Sequence, residues 1–294
     1  MELSSLFDQG VSKVKSTVSS VSVEQRPFVK AFVRMCADGW EQGWHERNGG
    51  NASYRLTPEE VTACRPYFYV DEHPWAPIGV QSGMLGGEFF LVTGTGSFMR
   101  NIPLDPVGNI GIVEIDPAGA SYRVVWGLGE AGRPTSEFAA HFMMHAVKKA
   151  RGSAARVLYH CHPASVIALG NAVAPTSRET TRALWKTMTE CIMVFPEGVG
   201  AVGVMTPGGR ELACATAHEM ESHDAVVWAH HGLMVAGATF DAAFGLAHVI
   251  VKAAQIYRDS CAMCVGGAFP FEVTDDELRR IAGELEVSPN PEYL

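Results

Sequence analysis

No apolar stretch in this 294-residue chain approaches the roughly 20 residues that a membrane-spanning helix needs. The opening "MELSSLFDQGVSKVKSTVSSVSVEQ" lacks a basic start, an apolar centre and a cleavage site, so it does not read as a secretory signal. Its Ser and Val richness suggests a loosely held leader or a short surface helix over residues 1–25. Positive charge is scarce: 23 Lys and Arg face 32 Asp and Glu, a net −9, which argues against a broad nucleic-acid surface. Seven cysteines, an odd number, suggest reduced thiols in a cytoplasmic protein. Cys261 and Cys264 form a lone C-x-x-C with no second ligand pair, so they read as free thiols near a helix end. Neither G-x-G-x-x-G before a helix nor G-x-x-x-x-G-K-[ST] occurs, which excludes the usual dinucleotide and P-loop sites.

Repeats, low-complexity linkers and charge blocks are also missing, so residues 26–294 read as one domain. The composition, 47% hydrophobic and 19% charged, is that of a compact soluble protein. "RPFVKAFVRMCADGWEQG" reads as a helix with Phe28, Phe32, Met35 and Cys36 on one face. "ASYRL" and "EFFLV" read as strands, the second running into "TGTG" (93–96), and the stretch 57–87 as irregular. "IGIVEI" and "SYRVVW" flank the turn "DPAG" and suggest a hairpin. "PTSEFAAHFMMHAVKKA" (134–150) is a predicted helix with start signals in Pro134, Thr135 and Ser136, and Lys148 and Lys149 at its end. "RVLYHC" reads as a strand before a helical "PASVIALGNAV". Thr176 with Glu179, and Thr274 with Glu277, look like capping boxes. "IMVF", "AVGVM", "AVVWA" and "LMVAG" read as short strands, with a helix over 210–222. The expectation is one α/β domain with a mixed, largely antiparallel central sheet covered by helices.

Three patterns could carry chemistry. His160 and His162, alternate residues of a strand, point to one side as two metal ligands or as two hydrogen-bonded histidines. A second strand runs out into His230 and His231, which face opposite ways, so at most one of them joins the first two. Three histidines with an open position suit a catalytic zinc. His141 and His145 share the spacing of H-E-x-x-H, but Phe142 replaces the glutamate, so they read as helix-face histidines. Glu137 stands at a helix start, where a carboxylate either caps the helix or serves a ligand. "RNGGN" (47–51) and "TGTG" offer glycines that let backbone approach a ligand, with Asn and Thr donors beside them.

Taken in order, "NGGN", "TGTG", "PTSE", "HCH" and "HHG" resemble the zinc-dependent class II aldolases that act on sugar phosphates. Longer strings, "GWHERNGGN", "VTGTGSFMRNIPLDP", "RPTSEFAAHF", "LYHCHP", "TECIMVFPEGVG" and "DAAFGLAH", extend the resemblance over roughly residues 28 to 286. Residues 1–25 and 57–87 match poorly. The resemblance implies one zinc ion held by His160, His162 and His231, completed by Glu137, which becomes the acid/base when substrate enters. It implies phosphate binding by Asn48, Gly50, Asn51, Thr95, Gly96, Thr135 and Ser136. It implies that Glu190 reaches a neighbouring subunit's site in a homotetramer; the net charge and the lack of a long apolar stretch lead to the expectation of no nucleic acid and no membrane as partner. An L-fuculose-phosphate aldolase, a pentulose-phosphate 4-epimerase of the same superfamily and a non-catalytic scaffold that retains the fold remain the alternatives.

Overall fold

The computed structural model describes residues 21–69, 73–129, 132–264 and 271–294. Residues 1–20 of the expected leader lie outside them, while Val23–Gln25 forms a 3-10 turn that buries Val23. Helix α1 (Pro27–Glu41) starts on Pro27 and buries Phe28, Phe32, Met35 and Cys36 along one face, as its spacing predicts. Strand β1 (Asn51–Arg55) follows. The segment expected to be irregular contains α2 (Pro58–Cys64), started by a reciprocal capping box between Thr57 and Glu60. That helix is short and buries only Val61 and Cys64, so its apolar periodicity is faint beside its cap. A two-residue strand, β2 (Ala76–Pro77), lies in the same segment.

After β3 (Phe89–Thr93) come α3 (Pro106–Asn109), β4 (Ile110–Ile115) and β5 (Ser121–Gly127). The last two form the expected hairpin, its turn tied by Asp116, which accepts from the backbone of Ala120 and Ser121 at 2.7 Å each. Helix α4 (Phe138–Ala150) begins four residues after its expected start at Pro134. Pro134 bridges to Gly94 and the Thr135 N–H donates to the Thr93 carbonyl, so both are held extended and cannot open a helix. Next come β6 (Val157–Cys161), α5 (Ala164–Ala172), α6 (Ser177–Trp185) and α7 (Glu190–Val194). The expected strand "IMVF" falls largely within α7; burial of Cys191 and Ile192 overrides the extended preference of its branched residues. The chain continues through β7 (Gly200–Val202), α8 (Arg210–Glu219), β8 (Ala225–Trp228), β9 (Gly232–Gly237), α9 (Phe240–Met263) and α10 (Asp275–Glu284).

Among the described residues, nine strands form one sheet in the order β2-β5-β4-β3-β1-β6-β9-β8-β7. Only β7 and β8 run parallel, so the mixed, largely antiparallel sheet is as expected. Alternate residues feed opposite faces. Val157, Tyr159 and Cys161 of β6 join the core under α1 and α9, whereas Leu158 joins the core that contains Ala140 and Met144 of α4 and Leu212 of α8. Helices therefore cover both faces. Antiparallel pairing also brings specific ends together: Asn51, which opens β1, pairs with His160 near the end of β6, and Cys161 pairs with Leu233 near the start of β9.

Candidate metal and catalytic site

That sheet end gathers the three predicted metal ligands. His160, His162 and His231 each offer a ligand atom, and these atoms lie within 4.8 Å of one another. His160 is buried and packs against Trp228, ring centroids 4.3 Å apart with the planes tilted by 40°. His162 continues the strand direction beyond β6 and keeps its ring beside that of His160. His230 takes a positive φ of 60°, in the left-handed region that histidine tolerates better than most residues. This turn leaves His230 exposed and directs His231 into the cluster.

Tautomers follow from the partners. His160 Nδ1–H donates to the Leu233 carbonyl at 3.0 Å, and His162 Nδ1–H donates to Glu46 Oε1 at 2.6 Å. Each Nε2 then carries a lone pair, and the two Nε2 atoms lie 3.0 Å apart. Lone pairs this close repel, and a shared cation converts that repulsion into binding. Burial and the neighbouring imidazoles hold His160 well below the usual histidine range, and burial brings His231 down to about 4. His160 and His231 therefore stay neutral at physiological pH, the form that binds metal. His231 Nδ1 is buried without a hydrogen-bond partner. The donor set fits a divalent transition metal, with Glu46 orienting His162 from behind.

Glu137 sits at the N-cap position of α4, one residue before the first turn where the sequence placed it. Its side chain does not cap the helix. Instead, Oε2 accepts from Asn51 Nδ2 at 2.8 Å and lies 3.9 Å from His160 Nε2. Burial raises its pKa, while the Asn51 hydrogen bond and the nearby His162 pull the other way. A desolvated carboxylate beside a metal cluster suits proton transfer.

The expected phosphate residues fall on three adjoining turns. Gly50, with φ 77°, leads into β1, and a Cβ there would lie 2.3 Å from His45 Nδ1 and 2.7 Å from the His160 carbonyl. Thr95 and Gly96 follow β3, and the Thr95 N–H donates to Arg133 O at 2.8 Å, beside Thr135 and Ser136. Asn48, Thr95, Gly96 and Ser136 are exposed, whereas Asn51 and Thr135 are buried. One N–H of the Asn51 amide already serves Glu137, which leaves its second for another acceptor. Glu190 stands elsewhere, exposed at the start of α7 in a cavity of about 360 Å³ shared with Thr189, Met193, Ile281, Glu284 and Leu285. No histidine of the trio lines it.

Sequence reasoning missed several supporting residues. Glu46 orients His162, and the His45–Tyr159 contact (2.6 Å) anchors the glycine turn from below. Arg133 lines a cavity of about 410 Å³ with Thr95 and Ser97. Both His45 and Glu46 lie in "HERNGGN", so a search for carboxylates and imidazoles beside the glycines could have found them.

Residues 30–258 match the family described as "Class II Aldolase and Adducin N-terminal domain". The chain belongs to that family. It is 39% identical over 274 residues to a rhamnulose-1-phosphate aldolase of Listeria welshimeri, covering 93% of this chain and 97% of that one. A rhamnulose-1-phosphate aldolase of Escherichia fergusonii is 37% identical over 269 residues, covering 91% and 97%. Among solved structures, a sugar-phosphate aldolase of Thermotoga maritima has 25% identity and a TM-score of 0.65, covering 86% of this chain and 98% of that one.

Proposed function

We propose that this protein is a zinc-dependent aldehyde-lyase that reversibly cleaves L-rhamnulose 1-phosphate to dihydroxyacetone phosphate and L-lactaldehyde. The observation that carries the reading is the convergence of three imidazoles on one point, with a buried carboxylate 3.9 Å from one of them. Three nitrogen donors and one carboxylate suit zinc, with His160, His162, His231 and Glu137 as its ligands. The difficult species is a carbanion next to a carbonyl, and the bound ion supplies Lewis-acid stabilisation of the charge on oxygen.

The side chains do the remainder. Cleavage breaks the bond between the third and fourth carbons of the ketose and leaves its electron pair on the third. Glu137 delivers a proton to that carbon; in condensation it removes the same proton. Its burial and consequently raised pKa support an acid/base role. Glu190 takes the proton from the hydroxyl that becomes the aldehyde oxygen. Glu190 lines a different cavity from the trio, so its part in this step requires that it reach the site of a second copy, in the homotetramer that the resemblance to class II aldolases implies. Asn48, Gly50, Asn51, Thr95, Gly96, Thr135 and Ser136 hold the phosphate through neutral donors and the start of α4. A cytoplasmic setting fits the seven free cysteines; among the described residues, no helix is long and apolar enough to cross a membrane.

An L-fuculose 1-phosphate aldolase shares the fold at 19% identity and a TM-score of 0.55, against 37–39% for the rhamnulose-phosphate relatives. That difference favours rhamnulose phosphate as substrate. Incubating the metal-loaded protein with several ketose 1-phosphates, followed by product analysis, tests the choice. Dihydroxyacetone phosphate and L-lactaldehyde should form fastest from L-rhamnulose 1-phosphate. Preference for L-fuculose 1-phosphate, or epimerisation without cleavage, would overturn it.

A further inference from the structure

Behind Glu137 and Asn51 lie three buried polar side chains, Ser53, His141 and His145, that the reaction outlined above does not use. Asn51 and Ser53 sit two apart on β1 and share a face; His141 and His145 sit four apart on α4 and share another. The two faces interlock. His141 Nε2 contacts Asn51 Oδ1, and Ser53 Oγ lies 2.7 Å from His141 Nδ1 and 2.8 Å from His145 Nε2. Ser53 and His141 are fully buried, and His145 nearly so.

Only one donor order satisfies every contact with neutral rings. The Asn51 NH₂ faces a carboxylate and must donate, so Oδ1 faces His141 and accepts. His141 therefore carries its proton on Nε2 and accepts at Nδ1 from the Ser53 hydroxyl. The Ser53 oxygen in turn accepts from His145 Nε2–H. Burial keeps both rings neutral, taking His141 down to about 3 and His145 well below the usual range. Reversing the Asn51 amide would place Oδ1 against Glu137 Oε2 and remove the donor from the carboxylate.

We infer that His141, backed by Ser53 and His145, is a positioning residue that holds the Asn51 amide with its NH₂ toward Glu137. This rests on the reading of Glu137 as the group that moves the carbon-bound proton. A flipped or mobile Asn51 frees the carboxylate to rotate, so it meets the substrate carbon less often in reactive geometry. His141 acts through Asn51 and touches no substrate, so its loss slows turnover more than it weakens substrate affinity, to which Asn51 gives one of several phosphate donors, and leaves metal content alone.

The test uses the full-length, metal-loaded protein and follows exchange of the dihydroxyacetone phosphate C–H proton into deuterated water by NMR. His141→Leu should lower kcat for exchange about 10- to 100-fold, the usual effect of losing a supporting partner behind a site. Metal content should not change, and KM should rise far less than kcat falls, because Asn51 is one of several phosphate donors. Ser53→Ala should give a smaller loss that Ser53→Thr, which keeps the hydroxyl, restores. Nitrogen-15 shifts should report His141 as a single Nε2–H tautomer in the native protein and as a mixture in Ser53→Ala. Glu137→Gln separates the two ways of failing. Wild-type exchange in Glu137→Gln overturns the reading of Glu137 and the inference with it. Loss in Glu137→Gln with native kcat in folded, metal-loaded His141→Leu overturns the positioning inference alone. Should His141→Leu fail to fold, native kcat and an unchanged tautomer in Ser53→Ala overturn it equally.

Discussion

At the scale of the residue, adjacent histidines have opposite fates. His231 joins the cluster, while His230, on a left-handed turn, faces solvent. Atomic emission analysis of purified protein should therefore find about one metal ion per chain, falling sharply in His160→Ala and staying nearly complete in His230→Ala. Unchanged metal in His160→Ala would remove the trio from the account. The histidine spacing was legible in the sequence because alternate strand residues share a face. The choice between His230 and His231 was not legible from spacing alone, since it depends on one φ angle in a turn. The resemblance to known aldolases supplied it. Glu137 was visible as a helix-start acid, but its turn away from the cap depends on Asn51, 86 residues distant in the chain.

Helix α4 is the element on which the site depends. Its first turn follows Glu137, its interior carries His141 and His145, and the extended residues before it pair with the turn after β3. A helix start with exposed Ser136 favours an anion, and introducing a like charge there should repel phosphate. Ser136→Asp should weaken dihydroxyacetone phosphate binding by at least about tenfold, since one charge repelled at close range costs more than 1.4 kcal/mol. Calorimetric titration checks this, with metal content as the control. Undiminished binding would place the phosphate elsewhere. Strands and long helices of this fold were legible because their apolar periods persist over several residues. Helices α2 and α7 were not: each spans fewer than eight residues, too few for the period to stand out from a strand-like or irregular stretch. The four-residue delay of α4 follows from pairing with β3 across the chain, which local start signals cannot encode.

For the whole molecule, buried neutral histidines link stability to pH. Burial brings His45 down to about 4 and His141 to about 3, whereas the unfolded chain titrates near 6.5. Between those values the unfolded state binds more protons, so stability is full above about pH 6.5 and falls as pH drops toward 4. Each such histidine contributes a slope of up to about 1.4 kcal/mol per pH unit in that window. Urea midpoints measured on His160→Ala, where metal loss cannot contribute, should fall between pH 7 and pH 5; equal midpoints would contradict this. The same scale holds the central claim, that one subunit's Glu137 moves the proton on carbon while a neighbour's Glu190 serves the aldehyde. Dihydroxyacetone phosphate alone in deuterated water isolates the first task. General acid–base groups contribute about 100- to 10,000-fold, so Glu137→Gln should abolish both exchange and cleavage. Glu190→Ala should slow cleavage yet retain most of the exchange, because lactaldehyde takes no part in it. Complete loss of exchange in Glu190→Ala with its metal still bound would contradict that division of labour.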